Sequence, residues 1–194
     1  MLSSRINTVS AQGVLPASPL THAPANNHGK SLFKGYTVTT LDRNHCSAEE
    51  EAKLVALINN AYKFKRVTLA DKTSPTARYY CLKDGEKLLA CAGYAPGDEA
   101  ETDVPEGLTR SDCYISPFAA VRGRGYGKEL LQRIVQVARE EGFSTLTFHV
   151  WNDAPLDMNP YYQGIGYVRG ETFKYLYNRK ETSTTRYHQA LLSV

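Results

Sequence analysis

Val121-Arg122-Gly123-Arg124-Gly125-Tyr126-Gly127-Lys128 stands between a β-forming run, Asp112 to Phe118, and a segment with one apolar helical face. In that segment Leu130, Leu131, Ile134, Val135, Val137 and Ala138 point one way, and Lys128, Glu129, Arg133, Glu140 and Glu141 point to water. Gly142 is placed to end the helix. Glycines allow a tight turn and leave backbone amides uncovered by Cβ. The start of a helix aims free N–H groups and the positive end of its dipole at the same place. Arg122, Arg124 and Lys128 add charge that no acid interrupts. A strand, a glycine turn and a helix start with three bases is a construction that binds phosphate.

Outward from this turn the chain alternates in period. Upstream, Tyr36 to Leu41 reads as a strand, and Ser47 with Glu50 forms a capping box for a helix carrying Leu54, Val55, Leu57, Ile58, Ala61 and Tyr62. The runs Ala77–Leu82 and Lys87–Tyr94 flank Lys83-Asp84-Gly85-Glu86, a hairpin signal. Residues 96–110 form a loop rich in Pro, Gly and acids. Downstream come a strand Thr145–Trp151, a short aromatic helical piece around Tyr161 and Tyr162, and strands near 167–177 and 184–192. The order β-α-ββ-β-α-β-α-β-β defines a mixed α/β domain, without internal repeats.

The 194 residues suit one domain, here 33–194, able to bury a core without staples. Residues 1–32 hold Gly13, Pro16, Pro19 and Pro24 and little clustered apolar surface, and read as a flexible tail. The net charge of +3, from 23 Lys+Arg and 20 Asp+Glu, is too small to indicate nucleic acid. No acid precedes Asp42, whereas Asp98, Glu99, Glu101, Asp103 and Glu106 crowd one loop. Cys46, Cys81, Cys91 and Cys113 lack C-x-x-C spacing, which argues against a structural zinc and for a reducing compartment. With no apolar run of about 18 residues and no secretory h-region, a cytoplasmic location away from membranes is expected; the acid-free, Ser-rich start makes mitochondrial targeting the alternative, against which Arg5 stands as its only strong base before Lys30.

Two phosphate-binding patterns are excluded. A dinucleotide fingerprint needs a parallel βαβ unit with an acid some 20 residues on, and this turn follows a hairpin. A Walker loop needs a hydroxyl after its lysine, and Glu129 stands there.

Arg122-Gly123-Arg124-Gly125-Tyr126-Gly127 instead resembles the [QR]-x-x-G-x-[GA] acyl-CoA signature of the GNAT acetyltransferase superfamily. Tyr161-Tyr162-Gln163-Gly164-Ile165-Gly166-Tyr167 resembles that family's Y-x-x-x-G-[FY] element. The likeness spans about residues 35–192 and implies an α+β fold with a mixed, mostly antiparallel sheet flanked by helices. It implies acetyl-CoA as acyl donor. The amides of Gly123 to Lys128, with Arg122, would hold the pyrophosphate, and the backbone of Phe118, Ala119, Ala120 and Val121 would pair with the pantetheine arm. Tyr162 matches the tyrosine that protonates the departing thiolate; packing in a core is the alternative for Tyr161 and Tyr162. Asn152 would touch the CoA arm, although it lies ten residues before Tyr162 rather than about seven. The spacer V-x-P-x-x before the glycine loop is also shortened, Val121 abutting Arg122.

An attacking amine must lose a proton. Asp112, Tyr114 and His149 lie on strands beside the presumed cleft; a strand cap for Asp112 and a core role for His149 are the alternatives. Cys113 suggests a covalent acyl variant. The acidic loop 97–106 could draw in a cationic amine such as a polyamine, lysine or basic drug, or be an ordinary solvated loop. Tyr62, Phe64, Tyr79, Tyr80 and Tyr94 offer aromatic surface to an acceptor or to the core. The leading expectation is direct acetyl transfer to a small-molecule or peptide amine by a monomer or homodimer. A non-catalytic acyl-CoA-binding module and a nucleic-acid binder are the other classes.

Overall fold

The computed structural model describes residues 36–62, 77–100, 107–154, 156–177 and 180–191. The N-terminal segment, Phe64 and the acids Glu101, Asp103 and Glu106 lie outside them.

The strands are β1 (Tyr36–Asp42), β2 (Arg78–Asp84), β3 (Lys87–Pro96), β4 (Asp112–Ala120), β5 (Thr145–Trp151), β6 (Val168–Tyr177) and β7 (Lys180–Ala190). The helices are α1 (Ala48–Ala61), α2 (Tyr126–Glu140) and α3 (Asn159–Gly164). This is the order read from the sequence, with β4 two residues longer and β7 beginning four earlier. The strands make one sheet in the order β1-β2-β3-β4-β5-β7-β6, in which β4 and β5 run parallel and the other neighbours antiparallel. Gly85, at φ +54°, makes the β2–β3 turn.

Each face of the sheet carries a helix. The capping box forms as the sequence indicates: Glu50 N–H donates to Ser47 Oγ at 3.3 Å, and Ser47 N–H to Glu50 Oε2 at 3.1 Å. From there α1 lays Leu54, Leu57 and Ile58 on Tyr79, Cys81, Cys91 and Ala119. On the opposite face α2 packs Leu130, Leu131, Ile134 and Ala138 against Leu82, Ala92, Ile115, Leu146 and Phe148. Each Leu, Ile or Phe so buried contributes about 1.5–3 kcal/mol.

One residue of α2 departs from the sequence pattern. Glu129 does not face water; it is only 7% exposed, with Arg133 Nε 3.3 Å away. A carboxylate in the first helical turn is favoured by the dipole, and the i,i+4 guanidinium offsets its burial. Glu141 likewise accepts from Arg78 at 2.7 Å and from Tyr94 Oη at 3.2 Å, tying the end of α2 to the hairpin.

Two irregularities shape the centre of the sheet. In β3–β4, Tyr94 lies opposite Ile115 and Ala92 opposite Phe118, so Ser116 and Pro117, joined by a cis peptide, bulge opposite Gly93. A Cβ on Gly93 would fall 2.5 Å from Ser116 O, so only glycine admits this approach. The bulge also reverses which side chains face each helix: Cys113 and Ile115 point toward α2, whereas Ala119 joins the α1 cluster. Meanwhile β4 and β5 pair only from Asp112–Tyr114 to Thr145–Thr147 and then part. The sheet is forked at its centre.

Candidate active site

The fork exposes a defined set of backbone groups. Val121 N–H donates to Leu89 O at 2.8 Å, so Val121, and by alternation Ala119, turn their polar groups toward β3. Phe118 and Ala120 therefore turn theirs toward the gap left by β5. Of the four residues whose backbone the sequence reading offered to an acyl donor, two present it and two are committed to the sheet. Tyr62, which follows the last residue of α1, enters from one side: its Oη donates to Phe118 O at 2.8 Å and lies 3.4 Å from Phe118 N.

Past the fork the chain turns into α2. Gly123 and Gly125 have φ of +75° and +77°, and nothing lies within 4 Å of where their Cβ atoms would be. Gly125 caps α2 without a side-chain hydrogen bond, and the first intrahelical bond runs from Glu129 N to Gly125 O. The amides of Tyr126, Gly127 and Lys128 thus have no intrahelical acceptor. Residues 121–125 and Lys128 are exposed, so the arginines and the lysine surround an open, positively polarised helix start. Tyr126 Oη lies 3.3 Å from Tyr36 Oη, anchoring this turn to β1.

On the other side of the fork, α3 places Tyr162 against Phe148, with ring centroids 4.7 Å apart, among Tyr161, Tyr167 and Tyr187. Burial raises its phenol pKa well above the ordinary value, and neighbouring phenols, Tyr62 first among them, raise it further. Tyr162 therefore serves the core and borders the fork at once.

The α1 face of the parallel pair is polar. Tyr114 Oη is 2.9 Å from His149 Nδ1, while His149 Nε2 is buried without a hydrogen-bond partner among the described residues. Burial, then the charge of Arg186, holds the imidazole down at a pKa of about 4, so the ring is neutral near pH 7. A bulge in β6 opposite Arg186 helps shape a pocket of about 290 Å³ next to this pair, lined by Asp112, Thr145, Thr147, Gly170, Arg186 and His188. Arg186 was not among the residues singled out from sequence; its signal was the polar alternation Thr184, Arg186, His188 along β7.

For several other residues named from the sequence the structure shows the partners and surroundings. Asp112 Oδ2 accepts from Thr109 N at 2.7 Å and Thr109 Oγ1 at 2.8 Å, which makes it the cap of the strand entrance. Cys113 is buried beneath α2, on the opposite face from His149, and burial drives its thiol pKa up, which removes the covalent variant. Asn152 Nδ2 donates to Ser183 Oγ and its Oδ1 accepts from Thr185 Oγ1, each at 3.0 Å, so its amide is spent on β7. Tyr79, Tyr80 and Tyr94 are buried in the core. Asp98 and Glu99 lie 3.9 and 2.8 Å from Arg110, so this part of the acidic loop is partly neutralised.

The sheet is opened at its parallel pair and faces the start of α2, a single α/β domain with a mixed, mostly antiparallel sheet. Residues 39–167 match the Acetyltransferase (GNAT) family, and the chain belongs to that family. Solved structures share the fold at low identity. The ribosomal-protein-S18-alanine N-acetyltransferase from Escherichia coli is 14% identical, over 82% of this chain and 95% of that one, with a TM-score of 0.60. An N-acetyltransferase from Staphylococcus aureus is 15% identical, over 80% and 99%, with a TM-score of 0.57. The ribosomal-protein-alanine N-acetyltransferase from Brucella melitensis is 16% identical, over 78% and 99%, with a TM-score of 0.55. No curated protein matches the chain. Among the described residues no helix is long and apolar enough to cross a membrane.

Proposed function

We propose that this protein is an N-acetyltransferase that moves an acetyl group from acetyl-CoA to a primary amine by direct attack in a ternary complex. The observation that carries the reading is the fork: backbone groups of Phe118 and Ala120 face the gap, and the open start of α2 lies at its end. The residues fit such a donor. Gly123 and Gly125 take the positive φ that this turn needs with open space beside them, and the free amides of Tyr126, Gly127 and Lys128 suit a pyrophosphate. Arg122, Arg124 and Lys128 supply the countercharge.

When bound, acetyl-CoA supplies a thioester whose carbonyl an amine attacks. The chain's own groups then divide the work. Phe118 and Ala120 bind and orient through backbone N–H and C=O. Tyr162, held protonated by its burial, offers Oη–H as a positioned donor to the departing sulfur. Tyr114 fixes the His149 ring at Nδ1 on the polar face beside the fork. Because His149 resists protonation, it is a poor proton acceptor, and the amine's proton leaves through water. The Arg110 pairing weakens the case for a strongly cationic acceptor, so a single amine on a small molecule or peptide is the acceptor favoured.

The test is free-thiol release from acetyl-CoA with a panel of amines, beside calorimetric titration of acetyl-CoA. Binding with amine-dependent thiol release is the expected result. Tight binding with no turnover on any amine sinks the enzymatic reading in favour of a binding module.

A further inference from the structure

Phe118 stands where the sheet lacks a neighbour, yet its backbone is not idle. A residue beyond the end of a strand pairing offers one N–H donor and one C=O acceptor to whatever enters the gap. In this chain both meet a single side-chain atom: Tyr62 Oη donates to Phe118 O at 2.8 Å and sits 3.4 Å from Phe118 N. A phenolic hydroxyl can do this because it is at once a donor and an acceptor, which an ammonium or a carboxylate is not. Burial pushes the Tyr62 pKa up to about 12, so the hydroxyl keeps its proton and its donor role across the working range of pH.

Tyr62 belongs to the end of α1, whose apolar side grips the same sheet through Leu54, Leu57 and Ile58. Its hydroxyl thus reaches the fork from a well-anchored helix, near enough to Tyr162 for the Tyr62 phenol to raise the pKa of that residue further.

We propose that Tyr62 is a built-in competitor for the acyl-donor slot: its hydroxyl occupies the backbone pair of Phe118 in the free protein and leaves it when the amide-bearing arm of acyl-CoA binds. This rests on the reading of the fork as the donor site. A donor amide and the Tyr62 hydroxyl need the same two atoms, so each donor that binds must first displace the hydroxyl. The affinity of the slot is accordingly lower than its shape permits, by the net worth of one to two hydrogen bonds.

The test compares the full chain with Tyr62→Phe, which keeps the ring and deletes the hydroxyl. Titrated with acetyl-CoA and with CoA, the variant binds both about tenfold more tightly. Equal or weaker binding by a folded variant overturns the competitor role while leaving the donor site intact. Absence of binding by both proteins removes the donor site and this inference together. A second measurement needs no destabilising change: 3-fluorotyrosine is incorporated, and the Tyr62 ¹⁹F resonance is followed as acetyl-CoA is added. It moves toward the position of solvent-exposed fluorotyrosine at saturation. A resonance that stays in place while acetyl-CoA binds overturns the displacement.

Discussion

His149 Nδ1 and Tyr114 Oη lie 2.9 Å apart, joining β5 to β4 just beyond the last rung of their parallel pairing. The contact ties together the two strands that then separate, and it does so with a ring that prefers to be neutral. In the folded protein His149 is held at a pKa of about 4, below the 6.5 of an unperturbed histidine. The unfolded chain therefore binds the proton more readily, and stability falls as pH drops from about 6.5 toward 4. Allowing for screening at a partly exposed ring, this contribution is about 1–2 kcal/mol between pH 7 and pH 5. Urea midpoints at the two pH values should converge in His149→Gln relative to the parent. An unchanged gap would show that other groups govern the acid limb.

The glycine turn makes a prediction that separates binding from folding. Gly125 has φ +77° and Gly142, at the far end of α2, has φ +83°, both in the region that costs an L-residue about 1–2 kcal/mol. Alanine at either position should lower stability by similar amounts. Only Gly125→Ala should weaken acetyl-CoA binding, by tenfold or more, because only Gly125 presents the start of α2. Equal affinities in the two variants would mean that the turn does not hold the donor.

What could be read from the residues, and what could not, follows from the range of the interactions. The order of elements was legible because each has its own period, and the start of α1 because Ser47 and Glu50 cap it locally. The glycine turn was legible because it lies within one short run. The fork was not, since it depends on where two strands 25 or more residues apart stop pairing. Nor was the assignment of side chains in β4. Alternation alone sets Cys113 and Tyr114 on opposite faces, but the bulge at Ser116-Pro117 resets the alternation before Phe118 and Ala119. Tyr62 could be flagged as an aromatic beside the cleft; that its hydroxyl meets a backbone pair 56 residues on could not.

That bulge supplies a stability prediction. A methyl group on Gly93 would stand 2.5 Å from Ser116 O and 3.1 Å from Pro117 Cδ, a contact with backbone that no rotamer can relieve. Gly93→Ala should cost about 2–4 kcal/mol, within the range of overpacked cores and strained backbones. Chemical denaturation measures it directly. A cost below about 1 kcal/mol would show that β3 and β4 can move apart without loss.

Tyr162 gives the prediction that bears most directly on the chemistry. Its ring is 7% exposed and packs against Phe148 at a centroid distance of 4.7 Å, contacts that phenylalanine reproduces. No described residue hydrogen-bonds to its hydroxyl, so Tyr162→Phe strands no partner among the described residues. Stability should therefore change by less than about 0.5 kcal/mol. If Oη–H is the donor to the departing sulfur, kcat should fall by 10- to 100-fold while the KM for acetyl-CoA holds, since an interaction made only as the bond breaks is being removed. Raised pH should not mimic the substitution below the point where other tyrosines titrate, because burial keeps this phenol protonated. Undiminished turnover would confine Tyr162 to the aromatic core it shares with Phe148 and Tyr187.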